Sequence, residues 1–336
     1  MPNVSVIITT WNSGDVLPQC LNNLDKQTFK DFEVVIVDNG SSDNAIDDLP
    51  EKWPSLDFQI RKLDKNTGFA AANNLGAQLA RGEWLALLNS DAFPEPGWLD
   101  ALLQAAAQHP EYAFFASRQL QASAPHLLDG AGDAVHLSGL AWRRYAGYPA
   151  ARFGLEPEEV FSACAAAALY SRQAFLQVGG FDEDFFSYLE DVDLGFRLRL
   201  SGLRCLYVPG AVVLHVGSAS LGVRSEFAYY HWQRNLIWMF WKNMPSGLLW
   251  KALPAHLLAN AIYQVNHSFR GRGVVLLRGK WDALRGLPGI QNKRKKIQAN
   301  RKVSNAALFD ALESGFMQPY LLGYHIRKIN SVPLVF

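Results

Sequence analysis

Three cysteines in 336 residues, Cys20, Cys164 and Cys205, are too scattered, and odd in number, to form a disulfide framework or a CxxC metal site. Reduced thiols of a cytoplasmic protein fit that usage. The first residues, MPNVSVIITTWN, lack a basic stretch followed by a long apolar one, so no signal peptide is expected. No segment reaches the roughly 18 uninterrupted apolar residues that a spanning helix needs, and a soluble or peripheral protein is expected. The chain also lacks a GxGxxG after its first strand-like run and a GxxxxGK[ST] anywhere, which weighs against dinucleotide dehydrogenases and P-loop enzymes. There is no GxSxG nucleophile elbow either.

With 49% hydrophobic and 19% charged residues, the chain has the material for one large α/β domain, or for a core with a sizeable appendage. Its net charge of +1 is unevenly spread. From Asn266 to Lys302 there are eleven Lys/Arg against the single Asp282, leaving 21 basic and 30 acidic residues, about −9, elsewhere. That asymmetry points to a basic appendage facing an anionic partner, nucleic acid or anionic lipid.

VSVIITT, from Val4 to Thr10, is β-branched and apolar on both faces, as a central parallel strand should be. Leu17–Leu24 has helical spacing, and FEVVIV, Phe32–Val37, is a second buried strand ending at Asp38 and the turn signal DNGSSD. The cycle repeats with a strand around Phe58–Leu63, a helix from about Gly68 to Ala80 and a strand from Trp84 to Leu88. Such alternation predicts a mostly parallel sheet wound with helices. Ligands of open α/β sheets sit at the carboxyl ends of strands, which here carry Thr9, Thr10, Trp11 and Asn12, then Asp38 and Asn39, then Ser90 and Asp91. Residues from about Pro94 to Arg152 show a helix near Trp98–Gln108 and otherwise no clear period, and read as variable insertion. Val192, Leu194, Phe196, Leu198 and Leu200 alternate like a strand, but carboxylates before them, Arg197 and Arg199 near the end and Gly202 beyond are the charge and stop order of a helix.

Asp91, directly after a buried strand, is held by rigid backbone at the sheet edge and offers oxygen to a hard divalent cation. A turn or helix-cap aspartate would stand in the same place. His215 ends the run VVLH, and beside a carboxylate from a neighbouring strand end it becomes a plausible metal ligand. Glu190, Asp191 and Asp193 follow Phe185, Phe186 and Tyr188, a setting that raises a carboxyl pKa as a general base requires. The alternative is an acidic helix N-terminus favoured by the dipole. Asp182, Glu183 and Asp184 sit in a turn and are expected to order the loop.

Four segments in order, VSVIITTWN with VIVDNGSSD, NTGFAAANNLGAQLARGEWLALLNSDAF, VGGFDEDFFSYLEDVDLGFRLRLSG and HVGSAS, resemble family-2 glycosyltransferases of the bacterial rhamnosyltransferase-like branch. They run from Val4 to Ser220, about two thirds of the chain. The resemblance implies a GT-A, Rossmann-like fold and an inverting, metal-dependent transfer of a sugar, rhamnose from dTDP-rhamnose, to a glycan or lipid-linked hydroxyl. It implies that Thr9, Trp11, Asn12, Asp38, Asn39, Gly68, Asn73, Asn74 and Ser90 serve the donor. Asp91 takes the last position of the family's DxD motif and, with His215, would hold Mn2+ or Mg2+; Asn89 stands at its first position and removes one charge. Asp191, in the family's ED motif, would be the catalytic base, with Glu190 supporting it.

The expected division is a catalytic domain over 1–225, its donor half about 1–93 and acceptor half about 94–225, followed by a helical region over 226–336. Trp232, Trp238, Trp241, Trp250 and Trp281 lie in that region among basic residues, which suits helices in a membrane interface. Anionic headgroups would meet Lys293 to Lys296, placing the protein peripherally on the inner face of the plasma membrane. A helical subdomain packed on the core explains the same composition. A nucleic-acid partner rests only on KRKKIQANRK, which a solvated helix face explains equally well, and none is expected. The competing function is a catalytically inactive sugar-nucleotide-binding or assembly protein of the same fold.

Overall fold

In the computed structural model, which describes residues 2–217 and 225–315, the chain opens with β1 (Val4–Thr10), α1 (Leu17–Asp25), β2 (Phe32–Asp38), a short α2 (Leu49–Lys52), β3 (Phe58–Lys62), α3 (Phe69–Leu79) and β4 (Trp84–Leu88). β2 is buried throughout and β1 almost so, which is why both read as continuous β-branched runs. β4, β1, β2 and β3 lie side by side in that order, all parallel, so the ends of β1, β2 and β4 emerge on one edge.

The second half adds β5 (Ala92–Pro94), α4 (Trp98–Gln108), β6 (Phe114–Gln121), β7 (Ala124–Ala131), β8 (Asp133–Val135), β9 (Ala141–Arg143), β10 (Glu158–Val160), β11 (Ala167–Ser171), α5 (Arg172–Gln177), α6 (Glu190–Leu200) and β12 (Cys205–His215). β11 enters antiparallel between β4 and β6, so the sheet beyond the donor half is mixed. β12 pairs parallel with β6, which brings His215 out on the same edge as Asp38 and Asp91. The stretch without a readable period therefore holds four strands. β8 and β9 are three residues each, and β7 pairs with β6 through two register shifts, so neither shows an alternation long enough to detect.

The segment with alternating apolar residues is the helix α6, as its charge order predicts. Ten of its eleven residues are buried, so side-chain character follows no single face. The buried arginines are anchored by hydrogen bonds: Arg197 Nε donates to Asp193 at 2.8 Å, and Arg199 Nε to the Phe161 carbonyl at 2.8 Å.

Among the described residues four helices follow, α7 (Glu226–Asn243), α8 (Ser246–Ser268), α9 (Gly273–Ala299) and α10 (Asn305–Ala311). They do not stand apart from the core. Leu236, Met239 and Phe240 of α7 and Ala283 and Ile290 of α9 share one apolar cluster with Val192, Phe196 and Leu200 of α6. Half of the basic run is engaged within the fold: Lys293 pairs with Asp182 and, at 2.6 Å, Asp184, and the buried Arg294 donates to the carbonyls of Trp241 and Met244, while Lys295 and Lys296 are exposed. Lys293 and Arg294 are consumed because α9 lies against the loop before α6. Ser218 to Ser220 of the HVGSAS segment, and 316–336 of the helical region, lie outside the described residues. No described helix is long and apolar enough to cross a membrane.

Gly195 makes the closest approach in this packing, since a Cβ there would stand 2.2 Å from the Ser162 Cβ. Gly195→Ala is expected to push α6 off the sheet and lower unfolding free energy by about 1–3 kcal/mol, measured by urea titration.

Candidate active site

The strand ends open into one cleft of about 970 Å³. Thr9, Trp11, Asn12, Asn39, Gly68, Ser90 and Asp91 line its first half, and Glu190, Asp191 and His215 its second. The loops after β1 and β2 hold each other. Asn12, at φ 48°, accepts from the Ser42 N–H at 2.9 Å and donates its own N–H to Ser41 Oγ at 2.9 Å. The Asn39 side chain bridges to the loop before α3, accepting from the Thr67 N–H at 2.8 Å and donating to Asn66 at 3.0 Å.

Three residues expected at the donor are not among those lining the cleft. Asp38 is fully buried and does not line the cleft; Oδ1 accepts from the Ser41 N–H at 3.3 Å and Oδ2 has no partner. Asn73 caps back onto the Phe69 carbonyl at 2.9 Å. Asn74 ties α3 to the loop at Phe181, donating to its carbonyl at 2.9 Å and accepting from its N–H at 2.8 Å. Both amides are spent on holding α3, so neither faces the cleft.

Asp91 and His215 do meet: Oδ1 and Nε2 are 3.4 Å apart, and both residues are buried. Behind them stand residues missed in the unread stretch. His215 Nδ1 lies 2.8 Å from Asp129 Oδ2 on β7, and Asp129 is paired with Arg143 on β9. Burial works against charge on His215, but Asp129 and Asp91 outweigh it and hold the imidazole above its ordinary pKa. A place that stabilises a proton between Asp91 and His215 is one that stabilises a cation. His215 Nε2 makes no hydrogen bond, and a histidine whose far nitrogen is fixed by a carboxylate has the orientation of a metal ligand. These residues therefore fit a divalent ion as a pair. Among the described residues no group of three or more His, Cys, Asp or Glu is set to hold one.

Asp191, at the start of α6, accepts from the Ala165 N–H at 3.1 Å. Its neighbours give way to it. Asp133, bonded to Ser162 Oγ at 3.1 Å, is pushed up to about 8, by burial first and then by Asp191. Burial and Asp191 likewise raise Glu190 well above the usual carboxylate range, and its Oε2 has no partner. Burial opposes the charge of Arg143, yet the surrounding acids, Asp129, Asp133 and Asp191 among them, hold its pKa above the ordinary arginine value.

The approach to Asp191 is strained. Phe186, Tyr188 and Leu189 have φ of 63°, 72° and 66°, and Phe186 is the centre of a γ-turn of the rare hand, with the Ser187 N–H donating to the Phe185 carbonyl at 2.7 Å. Helix α7 holds this shape. Asn235 Nδ2 donates to the carbonyls of Phe185, Ser187 and Tyr188 at 3.0, 2.9 and 2.7 Å, and Arg234 to those of Asp184 and Phe185 at 2.9 Å each. The buried Lys242 joins Asp182 to Asp193, the latter at 2.8 Å. On the other side Gly68, at φ 89°, leaves room for Phe186, whose ring and carbonyl would sit 2.7 Å from a Cβ.

The family model described as Glycosyl transferase family 2 matches residues 5–179. An N-acetylglucosaminyl-diphospho-decaprenol L-rhamnosyltransferase of Mycobacterium tuberculosis is 33% identical over 255 residues, 67% of this chain and 80% of the relative. The O-antigen biosynthesis protein RfbC of Myxococcus xanthus is 33% identical over 231 residues, 65% of this chain but 18% of that much longer protein. Among solved structures, the mannosyltransferase PcManGT of Pyrobaculum calidifontis, in complex with GDP-Man and Mn2+, superposes with a TM-score of 0.55 at 18% identity, over 97% of this chain and 82% of its own. The structure of S. aureus TarS 1–349 gives 0.57 at 17% identity, over 89% of this chain and 88% of that one. At such identities the two structures establish a shared GT-A fold.

Asp133 supplies a pH test. Its folded pKa lies above the unfolded value of about 4, so between about 4 and 8 the native state binds the extra proton and stability falls as pH rises. Asp133→Asn is expected to flatten that decline, seen as a smaller drop in Tm from pH 5 to 8.5 than in the parent, about the window set by the two values.

Proposed function

Because the chain belongs to glycosyl transferase family 2, we propose that it is an inverting, metal-dependent glycosyltransferase carrying a sugar from a nucleotide diphosphate to a hydroxyl of a polysaccharide or lipid-linked glycan. Rhamnose on thymidine diphosphate is the favoured donor. The M. tuberculosis relative, a rhamnosyltransferase named for a sugar on diphospho-decaprenol, supports both the sugar and a lipid-linked acceptor. The observation that carries the proposal is the meeting, in one cleft, of the Asp91–His215 pair with Asp191.

Thr9, Trp11, Asn12, Asn39 and Ser90 bind the nucleoside end of the donor from the three strand ends. Asp38 contributes by fixing the turn through Ser41. Asp91 and His215 would hold Mn2+ or Mg2+, which supplies charge neutralisation for the departing diphosphate. Asp129 keeps the proton of His215 on Nδ1 and leaves Nε2 directed to that place.

Transfer is a single in-line displacement. The acceptor oxygen forms its bond to the anomeric carbon as the bond to the diphosphate breaks, and Asp191 takes the hydroxyl proton, so the configuration inverts. Burial and Asp191 favour the protonated forms of Glu190 and Asp133, which lessens charge repulsion around the base. The catalytic body is proposed to span the donor and acceptor halves, with α7 supplying the support for Asp191, and to work at the inner face of the plasma membrane.

Asp191→Asn is expected to lower transfer from dTDP-rhamnose by about a hundredfold to ten-thousandfold while the donor still protects the protein against thermal unfolding; near-normal turnover would rule out the base. Asn235→Ala is expected to reduce kcat about tenfold or more with donor KM changed less than about threefold, because it loosens the segment presenting Asp191 and leaves the strand ends intact. Equal changes in kcat and KM, in steady-state assays, would remove that assignment.

A further inference from the structure

The large apolar side chains left exposed are concentrated on one hairpin. On α8 they are Trp250, Leu257, Leu258, Ile262 and Val265, and the turn to α9 adds Phe269, 88% exposed. On α9 they are Val274, 83% exposed, then Leu277, Trp281 and Leu284. Spacings of three, four and seven residues put each set along one side of its helix, and Val265, Phe269, Val274 and Leu277 gather at the turn. The tryptophans divide accordingly. Trp238 and Trp241 are tied inward, to the Ala283 carbonyl at 2.9 Å and to Gln291 at 2.8 Å, and Trp232 lines the cleft, while Trp250 and Trp281 face outward.

Charge on this hairpin has one sign. From Phe227 to Phe309 the sequence holds fourteen Lys/Arg and one carboxylate, Asp282, which accepts from the Tyr230 hydroxyl at 2.8 Å. Lys242, Lys293 and Arg294 are consumed inside the fold, but Lys251, Arg270, Arg278 and Arg285 are exposed beside the apolar residues. An apolar face edged by cations and lacking acids fits an anionic bilayer, where the apolar groups enter the acyl boundary and the cations meet phosphates. A second copy fits poorly. Two such faces brought together would oppose arginine to arginine with no carboxylate to pair them.

We propose that the α8–α9 hairpin, and not the run Lys293 to Lys296, is the surface on which this protein docks to an anionic lipid bilayer, lying in the interface without crossing it. This rests on the membrane partner proposed above and is independent of the transfer chemistry.

The test is flotation of the full chain with vesicles of phosphatidylcholine alone or mixed with phosphatidylglycerol. The parent should float with the mixed vesicles and weakly or not at all with the neutral ones. Phe269→Asp with Val274→Asp should cut binding by about tenfold or more. Arg270→Gln, Arg278→Gln and Arg285→Gln together should remove the preference for phosphatidylglycerol, and Lys295→Gln with Lys296→Gln should change little. Transfer to a water-soluble acceptor should be normal in all of these variants. Absence of parent flotation overturns the surface, as does a dimer in light scattering that Phe269→Asp dissolves. Flotation without transfer to any acceptor would instead overturn the reaction and leave the surface standing.

Discussion

Within four positions before Glu190 and Asp191, three non-glycine residues, Phe186, Tyr188 and Leu189, are held in the left-handed region. Each costs on the order of 1–3 kcal/mol relative to relaxed backbone. Such a segment keeps its shape only if surroundings over-determine it, and most of the determining groups belong to α7. Asn235 alone satisfies three of its carbonyls, and Lys242 beneath it fixes Asp182 before the strained turn and Asp193 after it. Remove α7 and the turn relaxes. The helical region is therefore part of the machinery that aims Asp191, whatever else its outer surface does.

The second constraint is electrostatic. Asp15, Asp91, Asp129, Asp133, Glu190 and Asp191 all line the cleft, with Arg143 as the cation among them. Six ionised carboxylates could not share so small a space. Three features ease this: Arg143 pairs with Asp129, burial and Asp191 raise the pKa of Asp133 and Glu190, and Asp91 stands against His215. A cleft so biased toward negative charge would attract cations and, through them, the anionic diphosphate of the proposed donor, which gives a physical sense to pairing Asp91 with an imidazole whose other nitrogen is already committed. Asn89 in place of another carboxylate is in keeping with that balance, because one more charge at this edge would need one more counter-charge.

Much of this was legible in order along the chain. Buried β-branched runs mark β1 and β2 and the apolar run WLALL marks β4, and the residues following them, Trp11, Asn39 and Asp91, are where strand ends should put them. The cap and charge order identified α6 against its misleading alternation. What could not be read shares one cause, that the partner lies far away in sequence. Asp129, Asp133 and Arg143 sit on strands of three to eight residues whose identity comes from pairing with β6 and with each other. Asn73 and Asn74 look like cleft residues by motif, but the packing of α3 claims their amides. Lys293 looks like solvent-facing charge until Asp182, more than a hundred residues earlier, is found beside it.

The two roles proposed for the helical region would be mechanically linked. α9 packs on α7 closely enough that a Cβ on Gly279 would stand 2.8 Å from the Tyr230 carbonyl, and Trp238 of α7 donates to the Ala283 carbonyl of α9 at 2.9 Å. The helix that would rest on lipid is thus bolted to the helix that holds the approach to Asp191. For an acceptor confined to a surface, the hydroxyl arrives within a narrow band of heights and angles, and catalysis by positioning gains only if the base is fixed in that same frame. A flexible tether would hold the chain near a membrane but leave the proposed base unoriented; a rigid α7–α9 pair would orient both together, a use for buried polar anchors such as Lys242 and Asn243.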